Sequence, residues 1–261
     1  MKLKIAFAVW SAWSLAGAAA AFDHQHPSWS QVLEEYVNPI GLVDYERLKR
    51  DHLEPSSSSF VKYIAQLRTV SHQHYQSWTL DQKKAFLINA YNALTIKLII
   101  DNMPVESITD LGGWWWWLTK KPWKIEFFML LDGHVRSLQT VQNSLRSEEF
   151  ADYRIHAAIS CASLSCPPLK RDAYVATTLD EDLDMQMKIW LADPERNDFS
   201  RSKIKISKIF AWYQEDFNHW GGSVHMVLLK FAPAIYRQKI QSHSTMWGYL
   251  PYNWDLNIHR K

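Results

Sequence analysis

Residues 79–101 read TLDQKKAFLINAYNALTIKLIID. Thr79 is an N-cap candidate, and Asp81 falls in the first turn, where a carboxylate meets the positive end of the helix dipole. From Ala85 to Ile100 apolar residues occur almost all round the cylinder. A helix of that kind sits inside a protein rather than on its surface. The stretch therefore predicts one long central helix against which the rest of the chain packs. It also carries two amides, Asn89 and Asn92, three residues apart and hence on one face. Buried amides must be hydrogen-bonded. Either they brace a neighbouring loop or they face a cleft.

Working outward, residues 28–37 have a helical apolar period (Trp29, Val32, Leu33, Tyr36, Val37), as do residues 60–67 (Phe60, Val61, Ile64, Leu67). Downstream, residues 125–131 read as a strand, Asp132-Gly133 as a two-residue hairpin turn and residues 134–137 as the return strand. Leu138, Val141 and Leu145 have helical spacing. The short apolar run 155–159 reads as an interior strand. Thr178 caps a helix over residues 179–191, with Asp180, Glu181 and Asp182 in its first turn. Residues 203–206 suit a short strand, residues 207–213 and 223–231 suit helices, and residues 249–256 form an aromatic, extended tail. There is no internal repeat and no linker. The pattern predicts an α+β fold: one helix-rich domain with a small antiparallel sheet.

The N-terminus has a separate meaning. Lys2 and Lys4 precede an apolar stretch over residues 5–15 and a run of small residues over 16–21, the layout of a secretory signal peptide. The run is too short for a stable membrane span. Residues 1–21 are read as the signal peptide, residues 22–261 as the mature domain, and the location as periplasmic or secreted. Losing Lys2 and Lys4, with no acid lost, takes the formal net charge from +2 to zero. A neutral chain has no electrostatic footprint for nucleic acid or an anionic membrane.

The 14 tryptophans include an adjacent four, Trp114 to Trp117, which cannot all face one way. They suit irregular loop packing or a stacking platform.

All the thiol chemistry lies in residues 154–168, RIHAAISCASLSCPP. A cysteine nucleophile must be a thiolate, supplied by a nearby base or a helix N-terminus. His156 is the nearest base in sequence to Cys161. On a regular strand, positions five apart point to opposite faces. The two therefore meet only if the chain bends between them. His134, His219 and His225 are further candidates. Export favours the competing reading, a Cys161–Cys166 disulfide, which requires the two Cα atoms within about 7 Å. No His, Cys and carboxylate set has metal-ligand spacing. There is neither a Gly-rich phosphate loop nor a nucleophile elbow, and no cofactor or metal is predicted.

Several separated motifs agree in order with one known family. FLINAYNALTIKLI, RIHAAISCASLSCPPL, SKIFAWYQEDF and YLPYNWDLN, with VDYERL near residue 45, resemble the domain-of-unknown-function 547 family from about Trp29 to Asn257. That family is similar to papain-like and transglutaminase-like cysteine hydrolases. The resemblance implies Cys161 as nucleophile and His156 as base or site neighbour. One departure stands out. Where the family reads Glu-His, this chain has Gln142 and Asn143 within SLQTVQNSL. Gln142 can donate a hydrogen bond to an oxyanion but cannot serve as a base.

The expectation is an exported cysteine-dependent hydrolase or acyltransferase acting on an amide or thioester of a small-molecule or peptide substrate. Cys161, His156 and Gln142 would do the chemistry, with Asn89, Asn92, Asn143 and Ser163 positioning the substrate. The alternative is a non-catalytic binding or scaffold module with a Cys161–Cys166 disulfide, whose surface near Trp114 to Trp117 takes a peptide, glycan or partner protein.

Overall fold

The computed structural model describes residues 21–52, 58–113, 115, 121–131, 133–242 and 247–259. The predicted signal peptide lies outside them except for Ala21, as do Trp114, Trp116 and Trp117; Trp115 is exposed.

The long helix runs Leu80–Asn102. Thr79 Oγ1 accepts from the Gln82 amide, and Gln82 Oε1 accepts from the Thr79 amide, a reciprocal cap that fixes where the helix begins. Nearly every residue from Lys83 to Ile100 is buried, as its all-round apolar character requires. Helices Tyr45–His52, Ser59–Thr69 and Leu138–Leu145 pack against it, and helix Pro27–Tyr36 packs on Ser59–Thr69. Together these elements close the larger of two apolar clusters. The smaller cluster forms between helices Leu179–Ala192, Ile209–Trp212, Gln214–Gly221 and Val224–Phe231. Its fully buried Trp190, Phe210 and Phe217 are in ring contact. Each such buried ring contributes roughly 1.5–3 kcal/mol of apolar burial.

Sheet is sparse. β1 (Phe128–Leu130) and β2 (His134–Arg136) are antiparallel, with Leu130 opposite His134. Three residues therefore join them, not two. Asp132 lies outside the described residues; Leu131 and Gly133 flank it, both with positive φ. β3 (Lys205–Ile206) and β4 (Gly248–Tyr249) form a second, parallel pair. The chain is thus helix-rich α+β, with one small antiparallel pair. Among the described residues no helix is long and apolar enough to cross a membrane.

Two further sequence expectations give way. The run 155–159 is not a strand: Ile155–Ala158 is one helical turn, and only Ile159 is extended. A four- or five-residue apolar run has no periodicity that separates the two states, and here local bonds decide it. Asp152 Oδ1 accepts the Arg154 amide, and the Ile155 amide turns back to the Asp152 carbonyl. Thr178 precedes its helix but does not cap it through the side chain; its hydroxyl donates to Asp182 instead.

The helical turn sits where the two clusters meet. Ile155 and Ala158 belong to the larger and Ala157 to the smaller. The long helix holds both of its ends. Lys84 Nζ bonds Asp152 at 2.9 Å just ahead of the turn. Beyond it, Asn92 donates to the Ala158 carbonyl and accepts from the Ser160 amide at 2.9 and 2.8 Å. Lys84 and Asn92 are eight residues apart, about two helical turns.

Candidate active site

A cleft of about 380 Å³ opens along the seam between the two clusters. Helix Leu138–Leu145 and its C-cap present Gln139, Gln142, Asn143 and Arg146 to it. These positions lie one or two turns apart and so share a face. Opposite chemistry comes from rings: Tyr91 of the long helix, Trp123, Trp212, Tyr213, Tyr252 and Trp254 all line the cleft. His156, Cys161 and Cys166 line it too, so residues 154–168 supply an imidazole and both sulfurs to the cleft.

His156 is buried at 2 % exposure and is held by three contacts. Its Nε2 lies 2.8 Å from Asp216 Oδ2, its ring stacks on Tyr213 at 4.2 Å, and Phe217 covers another side. Asp216 stands in the first turn of helix Gln214–Gly221. Arg146 grips the same carboxylate with two bonds, Nε to Oδ2 at 2.5 Å and a terminal nitrogen to Oδ1 at 2.8 Å. Burial opposes ionisation of Asp216, but the hydrogen bonds from Arg146 and His156 outweigh it and hold the carboxyl well below the ordinary range. Burial lowers the His156 pKa, and the Asp216 carboxylate only partly offsets that.

These directions fix the proton. An ionised Asp216 can only accept, so Nε2 of the neutral ring donates to it and Nδ1 carries the free lone pair. Arg146 lies over the Tyr213 ring on which His156 is stacked, and Gln142 Nε2 donates to the Tyr213 hydroxyl at 2.8 Å. Gln142 keeps a second N–H.

Cys161 and Cys166 are joined in a disulfide, with Cα atoms 6.0 Å apart. The loop can turn that sharply because Ala162 takes a left-handed φ of 60°. Non-glycine residues hold such a conformation only where the surroundings impose it. Here the aromatic tail does so. Leu164 and Ser165 donate to the Asp255 and Asn253 carbonyls, and the Asn257 amide donates to the Ala162 carbonyl. The same pairing brings the Tyr252 hydroxyl to 3.2 Å from each sulfur, while Ser163 Oγ lies 3.3 Å from Cys161 and 3.4 Å from Cys166. At the far end of the segment Gly41, with φ of 80°, lies against Pro168 and Leu169 so closely that a Cβ would fall 2.6 Å from the Leu169 nitrogen.

The expected site residues divide into two groups. Cys161, His156, Gln142 and Asn143 meet at one cleft, and Ser163 lies directly behind the sulfurs. No hydrogen bond joins the His156 ring to either sulfur. Asn89 and Asn92 do not line the cleft; both are buried and spend their amides on backbone. Asn89 makes paired bonds with Tyr174 at 2.7 and 3.0 Å, and Asn92 makes the pair to Ala158 and Ser160. His134, His219 and His225 lie elsewhere. Asp216, Arg146, Tyr213 and Tyr252 are the residues sequence reasoning passed over. Three of them stand inside the motifs SKIFAWYQEDF and YLPYNWDLN, but nothing in spacing alone joins residues 60 to 90 positions apart. Among the described residues no group of three or more His, Cys, Asp or Glu is placed to hold a metal.

Residues 75–191 match the model of a family described as "Protein of unknown function, DUF547", which supports the resemblance over that stretch. The match takes in the long helix, the Gln142 wall, His156 and both cysteines; Tyr213, Asp216 and Tyr252 come from outside it. No curated protein and no solved structure matches the chain.

Proposed function

We propose that the cleft is the acyl-transfer site of an exported cysteine hydrolase or acyltransferase, working on an amide or thioester when the Cys161–Cys166 bond is open. The observation that carries this reading is His156, which lines the same cleft as Cys161 and is held from behind by Asp216 at 2.8 Å. A neutral imidazole whose Nε2–H is tied to a carboxylate offers Nδ1 as a base, the arrangement that activates cysteine nucleophiles. The family resemblance supports a papain-like or transglutaminase-like site, and a disulfide beside the cleft supports an oxidising location.

In this reading Cys161 gives its proton to His156 Nδ1, and the thiolate attacks the substrate carbonyl carbon. The second N–H of Gln142 faces the developing oxyanion. Asp216 stabilises the imidazolium, which then protonates the leaving amine or thiol. Water or an acceptor amine releases the acyl group from Cys161. The test is mass spectrometry of the reduced protein incubated with a panel of thioester and amide acyl donors. An acyl adduct on Cys161 is expected, lost in Cys161→Ala. Equal product formation by wild type and Cys161→Ala sinks the reading.

The closed disulfide favours a second reading, a binding module. The aromatic wall suits it: Trp212 and Trp254 stack at 5.7 Å, and Tyr252 lies 4.4 Å from Trp254. Flat rings flanked by amides fit a glycan or peptide. Calorimetric titration of the oxidised protein with glycan and peptide panels decides it. Saturable binding abolished by Trp212→Ala is expected, and no binding by the oxidised protein removes this reading.

A further inference from the structure

The two sulfurs differ in their surroundings. Cys166 is buried at 2 % exposure, whereas Cys161 is partly exposed. One amide and two hydroxyls lie within reach of Cys166 Sγ: the Cys161 backbone amide donates at 2.9 Å, and the Tyr252 and Ser163 hydroxyls, 3.2 Å from each other, stand at 3.2 and 3.4 Å. Both hydroxyls also reach Cys161 Sγ. The backbone amide favours Cys166 alone. Such an array adds little to a neutral disulfide. It matters for a sulfur that carries charge, because hydrogen bonds to an ionised acceptor are about twice as strong as neutral ones.

We propose that Cys161–Cys166 is a thiol–disulfide exchange centre in which Cys161 takes the incoming thiol and Cys166 is the leaving thiolate. This activity goes beyond acyl transfer and does not require it. The co-reactant is a small thiol that fits the cleft. Its thiolate attacks Cys161 Sγ on the exposed side. A new S–S bond forms to Cys161, the Cys161–Cys166 bond breaks, and its electron pair leaves on Cys166 Sγ. The amide of Cys161 and the hydroxyls of Tyr252 and Ser163 receive that charge. A second thiolate then attacks the bound thiol's sulfur, releasing a small disulfide and Cys161 as a thiolate. Two electrons pass from the thiol pair to the protein, and a small disulfide returns them by the reverse steps. Leaving-group stability governs the rate of such exchange. Burial keeps the Tyr252 phenol protonated, so its hydroxyl stays a donor.

The experiment mixes the oxidised full-length protein with limiting reduced glutathione and traps it with iodoacetamide for peptide mass mapping. The expected product carries glutathione on Cys161 and the alkyl group on Cys166. Tyr252→Phe, which keeps the ring, should slow adduct formation about tenfold, and Ser163→Ala by a smaller factor, as loss of a hydrogen bond to a charged group implies. Circular dichroism and thermal melting confirm that each variant is folded. Glutathione on Cys166, free thiols in the untreated protein, or an unchanged rate in both folded variants would overturn the proposal. Exchange is read without an acyl donor, so its failure is distinct from failure of the acyl-transfer reading.

Discussion

His156 and His26 are both buried histidines set among aromatic rings, yet they handle protons differently. His26 Nδ1 bonds the Tyr63 hydroxyl at 2.8 Å, Phe22 packs against its ring, and its Nε2 has no partner among the described residues. Burial lowers its pKa to about 3, with His24 adding a smaller push the same way. His156 is buried as deeply but faces Asp216, and it lines a cleft. Burial keeps both rings neutral; the difference is that the Asp216 carboxylate orients the His156 ring and partly offsets the loss of proton affinity that burial causes. Cores hold many histidines of the His26 kind; the His156 kind, beside a cysteine, is the informative one.

The contrast breaks most readily at the carboxylate. Asp216→Asn should lower the alkylation rate of Cys161 by iodoacetamide in the reduced protein about a hundredfold, because the imidazole loses the carboxylate that orients it and supports its charge. His26→Gln should leave that rate unchanged. Comparable losses in both variants would mean that His156 has no special standing. The second effect belongs to His26. Between pH 6.5 and about 3 the unfolded chain protonates this residue while the folded one does not. Stability should therefore fall on acidification through that window, with a slope of up to about 1.4 kcal/mol per pH unit from this group. Urea titrations should show a shallower acid loss for His26→Gln; an identical loss would place the acid sensitivity elsewhere.

A smaller change is expected from Arg146→Met. Arg146 lowers the His156 pKa by its charge. Removing it should move the His156 titration, followed by NMR, to higher pH, and a shift to lower pH would contradict the charge argument. Smallest is Tyr213→Phe, which keeps the ring stacked on His156 but loses the hydroxyl that Gln142 bonds. Denaturant melts should show a loss of about 1 kcal/mol or less; a large loss would make that hydroxyl a structural keystone.

How much of this was legible in the sequence follows from the range of the interactions. The long helix was, because its cap and its all-round apolar character are local. The thiol segment was, because both cysteines lie in it. The run at 155–159 was not: one buried turn and one buried strand have the same composition, and Asp152 decides between them. Asn89 and Asn92 were readable as buried amides in need of partners, but whether those partners were loop backbone or ligand depended on residues 66 to 85 positions away. Asp216 and Tyr252 reach the site across 60 and 91 residues. Separations of that size are set by packing of the two clusters and leave no trace in spacing.

The docking of residues 249–258 beside the cysteine loop has a consequence for biosynthesis. Cys161 emerges from the ribosome 91 residues before Tyr252. The two thiols are therefore synthesised several seconds, at about 5–20 residues per second, before the segment that lines their pocket. A nascent chain stalled ahead of residue 249 should hold cysteines as accessible as those of an unstructured loop. The pocket is thus among the last features of this molecule to be assembled.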